Sequence, residues 1–389
     1  MSDIYILAAA RTPMGGFLGS LSTLPAPQLA AAAIQGALTQ AEIDAERVDE
    51  LLMGCVLPAG VGQAPARQAG IAAGLPLSTA ATTVNKVCGS GMKALMLAHH
   101  QLLAKAADII VAGGMENMSL SPYLLPKGRQ GLRMGHGEIK DSMFLDGLED
   151  AGTARAMGSF AQETADARGL TRAEMDDFAS TSLLRAQKAQ QEGWFTREIV
   201  PVRVSSRQGE VLVSEDEQPR SARIDKIPTL RPAFSKNGTL TAANSSSISD
   251  GASALVLARA EACAGLRPLA RIVAQASHAR HPGEFTLAPI GAIEKVLQRA
   301  GWSVADVDLF EINEAFAMVA MMPMRDLGIA HDKLNVHGGA CALGHPLGSS
   351  GSRIVVTLLH ALLTHGGRRG VASLCIGGGE ATALAIELL

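Results

Sequence analysis

The segment Thr82–Ala112 reads TTVNKVCGSGMKALMLAHHQLLAKAADIIVA and predicts a strand, a helix and a second strand in that order. β-Branched residues lead into Cys88, and apolar residues then recur at helical spacing over Ser90–Ala106. The run DIIVA, Asp108–Ala112, is typical of a strand that is covered on both faces, and we expect Gly113 to end it. The segment therefore predicts a layered α/β fold.

The same alternation continues on both sides of this segment. Ile4–Ala9 and Asp49–Val56 predict strands, and Pro27–Gln40 and Thr171–Glu192 predict helices. Because strands alternate with helices, we expect the sheets to be mainly parallel.

The C-terminal part repeats this order weakly. The matched pairs are Asp49 with Asp308, Gly91 with Gly351, and Gly113 with Gly377, at offsets of 259, 260 and 264 residues. We attribute the drift in the offset to an extra loop, His365–Gly370. Such internal similarity predicts two similar α/β halves.

The repeat predicts three regions along the chain. Residues 1–117 with 240–265 form the first half, and residues 266–389 form the second. Residues 118–239 are richer in charged residues, Gly, Pro and Ser, so we interpret them as an inserted loop domain that lies over one half.

Composition excludes several classes of protein. The chain has 389 residues, a formal net charge of −3 and 47% hydrophobic residues, which is typical of a globular protein without a nucleic-acid footprint. No run of about 18 apolar residues indicates a membrane span. Five cysteines without a C-x-x-C pair argue against disulfides and structural zinc, so a reducing, cytoplasmic location is expected.

Cys88 lies between a predicted strand and a predicted helix and is followed by Gly-Ser-Gly. Glycine permits a tight turn there, and unpaired N–H groups at a helix start favour a thiolate. A thiolate is the nucleophile that acyl transfer requires. A buried core cysteine is the competing interpretation of this motif alone.

Three further motifs carry groups suited to the same chemistry. His345 follows Gly344 in a glycine-rich loop and could take a proton from a thiol, and the repeat predicts that this loop lies near the Cys88 loop. Cys375 precedes three glycines, so a second thiol could move a proton while the N–H of Gly377 stabilises an oxyanion. Asn313, in EINEAFA, could donate to a thioester oxygen. Each motif alone also fits a structural role.

Together these motifs resemble the thiolase family along nearly the whole chain. The resemblance is carried by AAARTPMGGF (Ala8–Phe17), NKVCGSGMKA, GGMENMS, NEAFA, GGACALGHPLGSSG and CIGGGEA. It implies a fold of two βαβ-rich halves stacked as five α-β-α-β-α layers, plus a loop domain that binds coenzyme A. It also implies homo-oligomers, with a tetramer formed as a dimer of dimers.

The resemblance implies a role for each motif residue. Cys88 matches the acylated nucleophile, His345 its activator, and Cys375 the thiol that acts as acid and base. Asn313, with a water and His345, matches one oxyanion hole, and the N–H groups of Cys88 and Gly377 match the other. No metal or redox cofactor is implied; coenzyme A is substrate and product.

Contacts to coenzyme A are implied at five further positions. Leu148 and Ser246 match contacts to the pantetheine arm, Phe285 stands where a methionine usually lines that tunnel, and Phe316 should line the acyl pocket. Arg220 aligns with a basic residue near the adenine when one residue is gapped.

Other departures from the biosynthetic pattern are expected to surround the substrate. They are Ala156, Ser247, Ser249, His337 and Cys341.

We therefore expect an acetyl-CoA C-acyltransferase that interconverts acetoacetyl-CoA plus CoA and two acetyl-CoA. One alternative is a degradative 3-ketoacyl-CoA thiolase that accepts longer chains. Another, of a different class, is a non-catalytic acyl-CoA-binding scaffold subunit.

Overall fold

The computed structural model describes residues 3–206 and 209–389. The strands are β1 Ile4–Arg11, β2 Gly15–Gly16, β3 Glu50–Gly54, β4 Ala80–Val84, β5 Ile109–Asn117, β6 Tyr123–Leu124, β7 Lys140–Asp141, β8 Val202–Ser206, β9 Gly209–Val213, β10 Ser249–Arg259, β11 Ala270–Ala279, β12 Leu309–Ile312, β13 Arg369–Ile376 and β14 Glu380–Leu388. The helices are α1 Ala26–Ala41, α2 Pro65–Ala72, α3 Ser90–Leu103, α4 Met157–Ala167, α5 Arg172–Gln191, α6 Glu217–Ser221, α7 Ala288–Ala300, α8 Ala317–Leu327, α9 Ala340–Leu343 and α10 Leu347–His365.

The principal sheet consists of two parts joined by a short β1–β11 pairing. The strand order is β12-β13-β14-β11-β1-β10-β5-β3-β4, and β1 and β11 pair only at Tyr5–Arg271 and Ile6–Ala270. The prediction of mainly parallel strands is wrong. β3 is parallel to β4 and β5, and β12 is parallel to β13, but β10 and β14 run antiparallel to their neighbours. The expected end of β5 at Gly113 is also wrong, because pairing with β10 extends the strand to Asn117.

The structure has the five layers that the family resemblance implied, and three apolar cores fill the spaces between them. One core lies beneath α1 and α2, another beneath α7 and α8, and the third contains α3 and α10 between the two parts of the sheet. The two central helices are therefore buried on both sides, which explains the mostly apolar sequence of α10.

The two halves share the same hydrogen-bond pattern, as the internal repeat predicted. Their strand registers show that one of the three predicted residue matches is wrong. Asp49 accepts N–H bonds from residues 108 and 109, and Asp308 accepts them from residues 368 and 369. In the parallel registers, Met53 pairs with Gly113 and Ile312 pairs with Ser373. Ser373, rather than Gly377, is therefore the counterpart of Gly113. The offset stays near 260, and no extra loop is needed.

The central helices α3 and α10 meet through glycine backbone. A Cβ added at Gly91 would lie 2.6 Å from Ser352 Oγ and 2.8 Å from Ser352 N, and one added at Gly351 would overlap the backbone of Met92. Since Met92 and Ser352 are also 260 residues apart, the contact is symmetric. The glycine after Cys88 was expected to allow a tight turn, but Gly89 has an ordinary φ of −82°. Close approach of the helices explains Gly91 instead.

The inserted region contacts both halves, which corrects the expectation that it lies over one. Asp216 forms an ion pair with the buried Arg11 at 2.7 Å, and Ser182 on α5 donates to Glu314 at 2.7 Å. The predicted domain boundaries themselves stay a prediction.

Candidate active site

Cys88 lies on a strained turn two residues before α3. Val87, a β-branched residue, has φ +47°, a left-handed conformation that such residues rarely adopt. Burial raises the pKa of the Cys88 thiol, and the N–H groups of Gly377 and of Cys88 itself, which point at the sulfur, lower it; the result is about 11. The resting group is therefore a thiol at neutral pH, although two backbone donors converge on it.

His345 also follows a residue with a positive φ and also precedes a helix by two residues. Gly344 has φ +100°, and α10 begins at Leu347. His345 Nδ1 lies 2.5 Å from Ser350 Oγ, which in turn donates to the carbonyl of Pro346 at 3.0 Å. Because that hydroxyl has one hydrogen and directs it to Pro346, we assign the proton of the imidazole to Nδ1, which donates to Ser350.

This tautomer leaves His345 Nε2 with a free lone pair. Nε2 is buried and has no hydrogen-bond partner within the described residues. Burial, with a further contribution from Arg353, lowers the pKa of the imidazole to about 3. The ring is therefore neutral and can accept a proton. Burial disfavours the charged forms of both Cys88 and His345, so a thiolate–imidazolium pair would form only when the proton is transferred.

Cys375 is the next-to-last residue of β13, and Gly377 begins the turn that joins β13 to β14. Cys375 is 1% exposed. Burial, followed by repulsion from Cys88, raises the pKa of its thiol well above the ordinary value. A thiol that stays protonated is suited to donate a proton to a carbanion.

One cavity brings these groups together. It has a volume of about 260 Å³, and Cys88, His345, Cys375 and Gly377 all line it. Its wall is almost wholly apolar elsewhere, so charges that develop inside are poorly solvated by water and depend on the protein's own donors. Three motifs that are distant in sequence thus bring their reactive groups to one cavity.

Asn313 lies next to this group but does not line the cavity. Its side-chain oxygen accepts from Arg353 at 3.2 Å, which orients the amide, and its nitrogen lies 3.4 Å from His345 Nδ1. Since Nδ1 is protonated, that short distance joins two donors and is a packing contact. Arg353 is itself paired with Glu311 at 2.9 Å. The oxyanion role of Asn313 stays a prediction.

Four of the five predicted coenzyme A contacts line the same cavity. They are Leu148, which lies in a π-helical turn over Phe144–Leu148, together with Ser246, Phe285 and Phe316. Arg220 is separate: its side chain is 80% exposed and lies 3.8 Å from Glu215.

The unusual positions divide into two groups. Ala156 and Ser247 line the cavity; Ser249 does not, but its hydroxyl donates to the carbonyl oxygen of Ser247 at 3.0 Å. His337 and Cys341 were expected near the substrate, but neither lines the cavity. His337 Nε2 lies 3.1 Å from His365 Nε2, and the Cys341 N–H donates to Glu314 at 3.1 Å. These two positions therefore do not shape the acyl pocket.

Sequence reasoning missed residues that support the site. Ser350, which fixes the imidazole tautomer, stands five residues after His345 in the same motif. Glu116, in the GGMENMS motif, accepts N–H bonds from Val56, Leu57 and Gly348 and so ties the end of β3 to the start of α10. Burial raises the pKa of Glu116 to about 7. The GGMENMS motif could have drawn attention to Glu116, but the sequence does not indicate which backbone groups the carboxylate binds.

Comparison with known families identifies the origin of this arrangement. The family model described as the thiolase N-terminal domain matches residues 4–261, and that of the thiolase C-terminal domain matches residues 266–388. The chain belongs to the thiolase family. The five layers and the convergent cysteines and histidine are thus features of a thiolase.

Several individual thiolases are similar over their whole length. An acetyl-CoA acetyltransferase of Pseudomonas aeruginosa is 49% identical, with 99% of each chain covered. The crystal structure of the Bacillus anthracis acetyl-CoA acetyltransferase has a TM-score of 0.97 at 40% identity and covers 100% of this chain and 99% of that one. A thiolase from Ascaris suum, solved in complex with coenzyme A, has a TM-score of 0.94 at 39% identity and covers both chains fully.

Two general properties of the described residues bear on the expected partners. No helix among residues 3–206 and 209–389 is long and apolar enough to cross a membrane. Within the same residues, no cluster of three or more His, Cys, Asp and Glu side chains is arranged to hold a metal ion. The expected absence of a metal and the cytoplasmic location both stay predictions.

Proposed function

We propose that this thiolase is an acetyl-CoA C-acetyltransferase, which converts acetoacetyl-CoA and CoA to two acetyl-CoA and catalyses the reverse condensation. The observation that carries the proposal is the single apolar cavity in which Cys88, Cys375 and the unpartnered Nε2 of His345 meet. The names of the similar proteins support the same substrate.

In the cleavage direction, the Cys88 sulfur attacks the 3-keto carbon of acetoacetyl-CoA and passes its proton to His345 Nε2. We expect the N–H groups of Cys88 and Gly377 to stabilise the oxyanion, because both donors lie beside the sulfur to which that carbon becomes bonded. The bond between C2 and C3 then breaks, and its electrons form a carbanion at C2. Cys375 donates its proton to C2, which releases acetyl-CoA.

The second stage removes the acetyl group from the enzyme. The thiol of CoA attacks the acetyl-Cys88 carbonyl while its proton is accepted by the thiolate of Cys375, and His345 later returns its proton to the Cys88 sulfur. Collapse of the tetrahedral intermediate forms acetyl-CoA and frees Cys88, which is reprotonated. The reaction thus consists of nucleophilic attacks by sulfur, the bond cleavages that follow them, and proton transfers.

We expect the acyl pocket to favour short chains. Phe316 stands between two other aromatic rings, with centroid distances of 5.9 Å to Phe234 and 6.3 Å to Phe285, and all three line the cavity. Rates across a series of 3-ketoacyl-CoA substrates test this. A decline beyond four carbons supports a short-chain enzyme, whereas equal or rising activity beyond about six carbons supports the degradative alternative, since each buried CH₂ adds about 0.8 kcal/mol of binding.

Coenzyme A is the proposed partner of the cavity, and Arg220 the proposed contact at its outer end. A homotetramer is also proposed, because residues 120–139 expose large apolar side chains, including Tyr123, Met134 and Ile139. Light scattering coupled to gel filtration measures the assembly directly; a monomer at micromolar concentration contradicts this part of the proposal.

The deciding experiment is thiolysis of acetoacetyl-CoA by the purified protein and by Cys88→Ala. We expect wild-type turnover and a loss of at least about 10³-fold in the variant, because the nucleophile that forms the acyl intermediate is removed. Cys263→Ala, which removes a partly buried cysteine outside the cavity, is the matched control and should retain activity. Turnover by Cys88→Ala would contradict the nucleophile, and absence of turnover in the wild type would favour the scaffold alternative.

A further inference from the structure

A glutamine of the inserted region takes part in a closed hydrogen-bond network beside the cavity. Ser247 Oγ donates to Gln218 Oε1 at 2.5 Å, and Gln218 Nε2 donates to Ser249 Oγ at 3.0 Å. Ser249 Oγ in turn donates to the carbonyl oxygen of Ser247 at 3.0 Å. Because the amide both donates and accepts, its orientation is fixed. Ser247 and Ser249 are two of the positions at which this sequence departs from the family pattern.

The network reaches the backbone of His345. The His345 N–H lies 3.3 Å from Ser249 Oγ and 3.2 Å from the Ser247 carbonyl oxygen, so both groups accept from it. A Cβ added at Gly344 would overlap Ser249 Oγ and lie 2.9 Å from Gln218 Nε2. The turn that places the imidazole therefore rests directly on Ser249 and Gln218.

The other side of α6 is anchored to the N-terminal half. Asp216, directly before α6, accepts from both terminal nitrogens of Arg11 and from the N–H of Met14. Glu217 accepts from the N–H groups of Gly16 and Ser20. The backbone that carries Gln218 is thus held rigidly, which a residue needs in order to hold another residue in place.

We propose that Gln218 is a positioning residue that, through Ser249, fixes the backbone of His345 and thereby aims Nε2 at the reacting sulfur. The proposal rests on the proposed function for its consequence in catalysis. It assigns the inserted region a second task beyond binding coenzyme A, because the element that carries Arg220 also orients the base. Misplacement of a catalytic group by about 1 Å can cost about 10²-fold in rate.

The test compares Gln218→Leu and Ser249→Ala with Gln190→Leu. Gln190 lies in the same inserted region and donates to the carbonyl oxygen of Asp216 at 2.8 Å, but it does not contact the serines, so it controls for simple loosening of α6. We expect Gln218→Leu to lower kcat for thiolysis about tenfold while KM for acetoacetyl-CoA stays within about twofold. Ser249→Ala should give the same loss, and the double variant should be no worse than either single one.

A second readout does not depend on catalysis. Carbethoxylation of His345 by diethyl pyrocarbonate, followed by peptide mass spectrometry, reports how freely Nε2 meets a reagent. We expect it to be at least about threefold faster in Gln218→Leu and unchanged in Gln190→Leu, because only the first releases the His345 turn.

The outcomes separate the two proposals. Unchanged kcat and unchanged carbethoxylation in Gln218→Leu would overturn the positioning role, as would equal losses in Gln190→Leu. If the wild type does not cleave acetoacetyl-CoA, the proposed function fails, and the carbethoxylation rates still decide whether Gln218 holds His345.

Discussion

The two halves of the molecule place their reacting groups by the same local device but at different points of the repeat. Cys88 and His345 each stand two residues before a central helix and directly after a residue with positive φ. With an offset of 260, however, the counterpart of Cys88 is Gly348 and not His345. His345 stands three residues earlier because α10 begins three residues earlier in the repeat than α3 does. About one extra turn of helix therefore moves the base away from the position of the nucleophile, so that the two can face each other instead of coinciding.

The start of each central helix, and not the register of the repeat, therefore determines where the reactive residue stands. Helix starts carry free N–H groups and a partial positive charge, which suit developing negative charge. Ser350 and Arg353 within α10 control the imidazole of His345, whereas the sulfur of Cys88 is contacted by two backbone donors, one of which, Gly377, belongs to the C-terminal half.

The largest expected effect tests whether the C-terminal half supplies the base. His345→Ala should lower kcat for thiolysis about 10³-fold, because general base catalysis is lost. His365→Ala, at the last residue of α10 and outside the cavity, is the control and should stay within a few-fold of wild type. Steady-state kinetics measure both, and a loss below about tenfold in His345→Ala would assign the base elsewhere.

The Cys88 thiol of the N-terminal half is expected to be protonated at neutral pH. Because burial raises the pKa of Cys88 to about 11, the rate of its alkylation by iodoacetamide should rise about tenfold per pH unit from 7 to 9. Rapid quenching and peptide mass spectrometry give the rate for Cys88 alone, with acetyl-CoA as a protecting ligand. A rate independent of pH over this range would instead indicate a thiolate–imidazolium pair at rest.

Much of the fold was predictable from the sequence, and so was the membership of the site. Helical spacing predicted α1, α3 and α5 to within a few residues, since each has an apolar face and Thr171 caps α5 with a capping box. The antiparallel β10 and β14 were missed, because an apolar run does not encode the direction of its neighbours. Asn313 was predicted to face substrate, but its buried contact with Arg353 depends on a pairing forty residues apart in sequence.

The symmetric contact of the central helices gives a prediction of intermediate size. Gly91→Ala and Gly351→Ala should each lower the free energy of unfolding by about 1–3 kcal/mol, since each Cβ would meet backbone of the other helix. Gly70→Ala in α2 is the control, because its nearest neighbour is the end of the Leu51 side chain at 3.0 Å. Chemical denaturation measures all three. If one of the two central variants is harmless, the packing is not symmetric.

The smallest expected effect is the loss of stability when either of the two repeated aspartates is replaced. Asp49→Ala and Asp308→Ala should each cost about 1–2 kcal/mol, because each frees two backbone N–H groups. Burial raises the pKa of Asp308, but the N–H groups of Arg369 and Arg368 outweigh it and hold the pKa below its ordinary 3.8. Its stabilisation is therefore complete above 3.8 and is lost as the pH falls further. Asp308→Ala should lack this acid-sensitive part, which titrations of stability against pH would reveal.

The conformation of Val87 has a consequence for how such a protein can be improved. A valine in the left-handed region costs about 1–3 kcal/mol that a glycine would not. Yet its Cγ1 faces Gly377, whose N–H points at the neighbouring sulfur. Engineering for heat tolerance would favour Val87→Gly, but the same exchange would remove the side chain that packs beside Gly377. We therefore expect a gain in thermal stability at this position to lower turnover.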